Sequence, residues 1–211
     1  MASSTDSKAA LAPATPAAAA AAPAGPDQGF PGDTPPGAAA AAVDGFRVNC
    51  LMNARYHAAR EAFLDGVHRW LMLGVILSGS FAVVDLVGTG VPTATAGILK
   101  AALAALPVAF GALDLTFDLS NRARIHGQMK RRYFELLAEV ADRSKTLEQA
   151  EAAMHRCSAD EEPAYHALLA TAWNAAEEMV FGDNAKRYAI PWPARFLKQV
   201  LRFEGANFPS L

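Results

Sequence analysis

The sequence contains few of the residues that disulfide-stapled or metal-bound domains depend on. Its 211 residues include only two cysteines, Cys50 and Cys157, which are too far apart to form a CxxC motif. A disulfide framework needs a dense set of cysteines, and a zinc module needs Cys or His ligands at short spacing. The sequence therefore argues against a stapled secreted domain and a zinc module, and it favours a reducing compartment.

A large excess of one charge is also missing. The formal net charge is −2, and the first 45 residues, with four aspartates and one lysine, contribute −3 of it. The rest of the chain is therefore close to neutral. Nucleic-acid-binding proteins concentrate basic residues, and solvating proteins are strongly acidic. We expect neither class, and no nucleic-acid partner.

Motifs for catalysis and for cofactor binding are absent as well. The chain has no HExxH, GxGxxG, GxxxxGK[ST] or GxSxG pattern, so the usual arrangements for zinc, dinucleotides, phosphates and a serine nucleophile are lacking. The histidines show no ligand spacing and are interpreted as surface or capping residues; they are His57, His68, His126, His155 and His166. We therefore predict no catalytic residue, no metal and no cofactor, and a protein that is not an enzyme.

The first 45 residues are dominated by alanine, proline and glycine. They contain 17 Ala, 7 Pro and 5 Gly. The prolines interrupt each run of alanines before a helix can propagate, and there is little apolar surface to bury. Residues 1–45 are therefore predicted to form a disordered tail that serves as a tether or has no specific role, and the folded part is predicted to begin at Phe46. A cleaved secretory signal is not expected, because the apolar run it requires is missing.

Two long apolar runs decide the predicted class of protein. The first covers residues 70–87 and contains one charge, Asp85; the second covers residues 98–119 and contains Lys100, Asp114 and Asp118. A membrane-spanning helix needs about 20 mostly apolar residues, and a turn-rich stretch over residues 88–92 separates the two runs. The sequence therefore predicts a two-span membrane hairpin over residues 70–119. The second arm also contains Pro107, and we expect it to insert only together with a partner.

Basic residues flank this hairpin on both sides, while the connecting turn has almost none. The residues predicted to set the topology are Arg69 before the first arm and Arg122, Arg124, Lys130, Arg131 and Arg132 after the second. By the positive-inside rule, both chain termini face the cytoplasm and the protein lies in the cell inner membrane. The alternative is a soluble helical bundle that buries both arms on every side, and the three aspartates of the two runs favour it.

The remaining sequence predicts helices, so the fold class is all-α with long cytoplasmic extensions. Apolar residues recur every three or four positions over residues 46–69, which indicates an amphipathic helix that runs directly into the first arm. The cytoplasmic region, residues 120–211, continues the same periodicity after the second arm, and the two long helices can pair as a coiled coil within one chain or between subunits. A further helix is predicted from Glu162 to Phe181. A short amphipathic helix from Arg195 to Phe203 is predicted either to dock on the others or to lie at the membrane surface.

The two acids near the end of the second arm are the charged groups of the hairpin that most favour a functional interpretation. Asp114 and Asp118 are four residues apart, so one helix face would present both, opposite the small residues Gly74 and Ser78 on the first arm. Gly74 and Ser78 form a small-xxx-small pair that permits close helix packing. Several copies of the hairpin could then form an acidic ring that selects cations, with Asp114, Asp118 and Ser78 as the polar residues of the pore. The alternative is that Asp118 simply pairs with Arg122.

Three short stretches, together with this layout, resemble the SLATT family of bacterial two-transmembrane proteins. They are Asn53-Ala54-Arg55-Tyr56-His57, Asn121-Arg122-Ala123-Arg124-Ile125-His126 and Tyr133-Phe134-Glu135-Leu136-Leu137. The resemblance implies a pore-forming effector of an antiviral defence system, which oligomerises in the membrane and is triggered by a nucleotide-signalling partner. It implies no catalytic residue. Two alternatives stay open: a membrane-anchored scaffold that recruits a partner, and a soluble all-helical binding protein.

Overall fold

The structure is a computed structural model that describes residues 36–87, 94–159 and 161–211. All longer regular elements in these ranges are helices, which confirms the all-α prediction. They are α1 (Pro36–Val87), α2 (Ala94–Phe117), α3 (Leu119–Ala141), α4 (Leu147–Ala159), α5 (His166–Phe181) and α6 (Trp192–Leu197), with a 3₁₀ turn at Gly182–Asn184. The predictions for residues 1–35, for the turn over residues 88–92 and for the side chain of Asp85 lie outside the described parts.

Helix α1 is 52 residues long and begins at Pro36. The prediction that the tail extends to residue 45 is therefore wrong for residues 36–45. Proline is well suited to the first turn of a helix, because it lacks an N–H that would have no partner there. No proline follows it in α1, and residues 38–42 are alanine, the best helix former. The predicted continuity between the amphipathic helix and the first arm is confirmed, since α1 runs without a break to Val87.

Helices α1 and α3 pack antiparallel and form the centre of the helical part outside the hairpin. Near the hairpin, Leu64 of α1 packs with Leu119 and Ala123 of α3. At the opposite end, one cluster buries residues from α1, α3 and α4: Phe46, Cys50, Ala54, Tyr133, Leu136, Ala150 and Cys157. A third cluster joins Tyr56 of α1 to Leu168 and Ala172 of α5. The two long helices therefore pair within one chain, as one of the predicted arrangements requires.

The hairpin consists of α2 and the second half of α1, which meet at a glycine. A Cβ atom added to Gly74 would lie 2.8 Å and 2.9 Å from two ring carbons of Phe110 on α2. Ser78, one turn further along α1, is buried, and its hydroxyl donates a hydrogen bond to the carbonyl oxygen of Gly74 at 2.5 Å. The small residues thus allow the aromatic ring to lie against the backbone of α1.

Helix α2 ends at Phe117, two residues before the predicted end of the second arm. Asp118 has a left-handed backbone conformation, with φ 47°, and is the N-cap of α3. Aspartate tolerates this conformation better than most residues. The apolar periodicity that runs from the second arm into α3 is therefore interrupted by a turn, and α2 and α3 are two separate helices.

The outward side of the hairpin is apolar. Exposed large side chains are Trp70, Leu73, Ile76 and Leu77 on α1 and Leu106, Val108, Leu113, Leu115 and Phe117 on α2. Among the described elements, α2 contacts α1 and the adjoining end of α3 but none of α4, α5 and α6. The soluble-bundle alternative requires the molecule's own helices to surround the hairpin. They do not surround its described part. Over the same described residues, no helix reaches the combined length and apolarity of a membrane span.

We predict that Gly74→Leu destabilises the hairpin by about 1–3 kcal/mol, because the new side chain overlaps the ring of Phe110. Gly79→Leu is the matched control, since a Cβ atom at Gly79 meets no atom within 4 Å. The measurement is thermal unfolding of the purified full-length protein in detergent. Equal melting temperatures for the two variants would show that the contact between Gly74 and Phe110 contributes nothing.

Candidate functional site

The structure pairs Asp114 with a histidine inside the hairpin. Its Oδ1 atom lies within hydrogen-bond distance, at 2.7 Å, of Nδ1 of His68 on α1, and both side chains are partly buried. Sequence reasoning treated His68 as a surface or capping residue and missed this partner. The two residues are 46 positions apart, and only the antiparallel packing of the hairpin brings them together. The deeper of the two predicted acids is therefore satisfied within one chain.

Asp118 lies apart from Asp114 in a different environment. The left-handed turn at Asp118 interrupts the helix, so the two acids do not share one face of a continuous helix as predicted. Its Oδ2 atom instead accepts a hydrogen bond from the side chain of Asn121 at 2.9 Å. The alternative pairing with Arg122 is not observed either, because the Arg122 guanidinium bonds Glu162 and only its backbone N–H donates to the Asp118 carbonyl, at 3.0 Å.

The other basic residues predicted to set the topology lie around the end of the hairpin that continues into α3. Arg69 pairs with Asp65 of the same helix at 2.7 Å, and Arg124 donates to the side-chain oxygen of Asn121, also in its own helix, at 2.9 Å. Lys130 of α3 pairs with Glu61 of α1. Arg131 and Arg132 are exposed, further along α3. Among these contacts, the pair of Lys130 and Glu61 links α1 to α3.

Two buried histidines form the centre of a polar network that is separate from the pair of His68 and Asp114. His57 on α1 and His126 on α3 approach with their Nδ1 atoms 2.8 Å apart, and they are 2 % and 8 % exposed. A hydrogen bond between two ring nitrogens needs one donor and one acceptor, so a single proton lies between them. The sequence prediction that the histidines are surface or capping residues is wrong for this pair.

A carboxylate and a phenol extend this pair into a longer network. His57 Nε2 lies 3.0 Å from Oε1 of Glu161. The hydroxyl of Tyr133, whose ring stacks on that of His57 with an interplanar angle of 16°, donates to the same carboxylate oxygen. It also lies 3.1 Å from the hydroxyl of Ser158. Side chains from α1 and α3 thus converge on the carboxylate of Glu161, in the loop before α5, and Ser158 at the end of α4 contacts the network through the hydroxyl of Tyr133.

Burial and neighbouring charges fix the protonation of the network. Burial lowers the pKa of His126 to about 4, and a positive charge on His57 and the nearby Arg60 act in the same direction. Burial alone would raise the pKa of Glu161, but His57 and Tyr133 bring it below its usual range. Near neutral pH the network therefore contains a neutral His126 and an ionised Glu161.

The described residues offer little for metal or nucleophile chemistry. No group of three or more His, Cys, Asp or Glu side chains in the described ranges is arranged to hold a metal ion. Burial raises the pKa of the Cys50 thiol to about 12, so it stays protonated, with its sulfur 3.8 Å from that of Met154. A protonated buried thiol is a poor nucleophile.

Neither protein-family models, nor curated proteins, nor solved structures gave a match to this chain. The resemblance to the SLATT family therefore stays a prediction.

We predict that the free energy of unfolding falls as the pH is lowered from about 6.5 towards 4, by up to about 1.4 kcal/mol per pH unit for one proton. In this range the unfolded chain binds a proton at His126 but the folded protein does not, because its folded pKa is about 4. His126→Gln removes this proton and should flatten the slope. Urea unfolding at several pH values measures it.

The matched control is His155→Gln, which changes an exposed histidine of α4. The control should keep the slope of the parent protein. If His126→Gln kept the same slope as His155→Gln, the assignment of the pH dependence to the buried pair would be wrong.

Proposed function

We propose that the protein is an integral membrane protein of the bacterial inner membrane, whose hairpin of α1 and α2 inserts into the bilayer. The observation that carries the proposal is the bare apolar surface of this hairpin. Ile76 and Val108 are 63 % and 72 % exposed, and Leu115 is 84 % exposed. Burying one such side chain is worth about 1.5–3 kcal/mol, and a large contiguous apolar patch on a soluble monomer is unusual. In this proposal lipid covers the apolar side chains of the hairpin that the rest of the described chain leaves exposed.

The polar groups inside the hairpin support the same proposal. Unpaired polar groups are costly in the hydrocarbon region, and acids there pair with another side chain or face water. Asp114 is paired with His68, and the hydroxyl of Ser78 is bonded to the backbone of its own helix. The close approach of Phe110 to Gly74 is typical of helices that associate through small residues in lipid. The hairpin is thus polar inside and apolar outside.

The charged residues at the base of the hairpin support its orientation. Arg69 lies directly before the first apolar arm, and Arg122 and Arg124 lie shortly after the second. With these residues in the cytoplasm, the positive-inside rule places helices α3 to α6 and both termini there. The buried histidine network then belongs to a cytoplasmic helical domain.

We further propose that copies of the protein assemble through the hairpin and permeabilise the membrane when triggered, as the SLATT resemblance implies, with a nucleotide-signalling partner as the trigger. Asp114 is the residue in the hairpin that could attract cations to such a pore. In this proposal the pairing of Asp114 with His68 corresponds to the closed pore, since a carboxylate bound to a histidine presents less negative charge to passing ions.

A second candidate function is a membrane-anchored scaffold without conductance. The observation that favours it is also the pair of His68 and Asp114, because it satisfies the acid within one chain and leaves no need for a ring of copies. The cytoplasmic helices would then recruit a partner. The two candidates share the membrane hairpin and differ in ion flux.

We predict that the full-length protein stays in the membrane pellet after alkaline carbonate extraction. A double variant, Ile76→Glu with Val108→Glu, should move to the supernatant, because charges on the outward face oppose insertion by about 2–4 kcal/mol each. His155→Glu is the control: it adds one charge to the exposed surface of α4 and should stay in the pellet. Release of the parent protein would overturn the membrane proposal.

We predict that triggered or strongly expressed protein depolarises cells and that Asp114→Asn lowers the cation flux by about tenfold, because the acid no longer attracts cations. The matched control is Asp142→Asn, at the far end of α3 from the hairpin. A potential-sensitive dye and flux measurements in vesicles report the effect. The variant His68→Gln frees Asp114 from its partner. If cells that contain the parent protein or this variant in the membrane keep their polarisation, the pore is rejected and the scaffold remains.

A further inference from the structure

The chain from Trp192 to Arg202, called the terminal segment below, points its apolar side chains outward. Trp192 is 75 % exposed, Phe196 83 % and Val200 61 %, and Leu197 and Leu201 are exposed too. The sequence predicted a helix from Arg195 to Phe203, but the helix covers only Trp192–Leu197. Docking of its apolar side on the other helices, one of the two predicted arrangements, is not observed. Within α6 only the small Ala194 is buried.

Polar contacts attach the side of the terminal segment opposite its apolar side chains to α1 and to the start of α5. Arg60 of α1 donates from Nη1 to the carbonyl oxygen of Gln199 at 2.7 Å, and the Gln199 side chain donates back to the Ala59 carbonyl at 3.2 Å. The backbone N–H of His166 donates to the carbonyl oxygen of Arg202 at 3.0 Å. The Arg60 guanidinium also lies 4.0 Å from the ring centre of Tyr165. The outward position of the apolar side chains is therefore a fixed feature of the fold.

Basic residues are interleaved with these apolar side chains. Arg195, Lys198 and Arg202 lie in the terminal segment, which contains no acid. Glu204, just beyond it, lies 3.6 Å from Arg202 and partly compensates that charge. An aromatic and aliphatic surface with basic residues between its members is the pattern of segments that lie on anionic membranes.

The attachment to α1 places the terminal segment on the hairpin side of the cytoplasmic domain. Arg60 precedes Trp70 by ten residues of one continuous helix, which is about 15 Å. The headgroup layer adds roughly 5–8 Å to the hydrocarbon core on each side. The contact therefore requires long basic side chains or a tilt of the hairpin to span the rest of this distance.

We infer that the terminal segment binds the anionic headgroup surface of the membrane that the hairpin enters. Apolar side chains such as Phe196 and Val200 enter the interface, and Arg195 and Lys198 contact lipid phosphates. The inference rests on the proposed membrane hairpin, because the hairpin brings the terminal segment to the surface. The contact would fix the cytoplasmic domain against the bilayer at a second place.

Three tryptophans allow the two membrane contacts to be measured separately. Full-length variants keep one tryptophan each, with phenylalanine at the other two positions: Trp70 in the hairpin, Trp192 in the terminal segment, and Trp173, which packs edge-on against Tyr188 within the cytoplasmic domain. Each variant is reconstituted into vesicles of phosphatidylcholine alone or with phosphatidylglycerol. Brominated lipid then quenches a tryptophan only where the ring reaches the bilayer.

We expect strong quenching of Trp70 in both vesicle types, quenching of Trp192 in the vesicles with phosphatidylglycerol, and none of Trp173. Adding Arg195→Glu and Lys198→Glu to the Trp192 variant should reduce its quenching by about twofold or more, since an anionic surface attracts basic residues and repels acidic ones. Adding the same changes to the Trp70 variant should leave its quenching as it was.

The outcomes distinguish failure of this inference from failure of the proposed function. Quenching of Trp70 without quenching of Trp192 overturns the lipid contact and leaves the hairpin proposal intact. A blue-shifted but unquenched Trp192 shows that protein, such as a second copy of the chain, covers the terminal segment, which also overturns it. Absence of Trp70 quenching overturns the proposed function itself, and with it the reason for placing the terminal segment at a membrane.

Discussion

The continuity of α1 is the constraint on which the other parts of the structure depend. This one helix supplies an arm of the hairpin, one side of each apolar cluster outside the hairpin, and the groups that hold the terminal segment. Because no loop separates the two halves of α1, the position of the first arm is set by the same helix on which α3 and α5 pack.

The two halves of the molecule differ in what they expose more than in what they bury. Outside the hairpin, ionisable groups such as His57 and Glu161 lie close together in the interior, beside apolar clusters. The hairpin also pairs an acid, Asp114, with His68 in its interior, but its described exterior is apolar. A water-soluble domain can tolerate a satisfied polar network in its core. An apolar exterior is stable where the surrounding solvent is itself apolar, which is the physical basis of the proposed membrane location.

The buried network also gives the helical part outside the hairpin an expected dependence on pH. Burial and positive neighbours disfavour the charged form of His126 and lower its pKa. Protonation of His126 would place a charge next to Arg60 in the buried contact between α1 and α3, and would oppose the packing of these two helices. The packing of α1 on α3 therefore favours the neutral form of His126.

The sequence by itself determined the helical class, the unbroken passage of α1 into the first arm and the approximate extent of the second, because apolar periodicity and the lack of a helix breaker are local properties. The start of α1 at Pro36 was missed, since proline permits a helix that begins at it. Only the tertiary structure paired His57 with His126 and His68 with Asp114. These partners are 69 and 46 residues apart, and their contact depends on how antiparallel helices align, which the pattern of a single helix does not encode. The outward apolar face of the terminal segment was decided in the same way, by hydrogen bonds to a distant turn of α1.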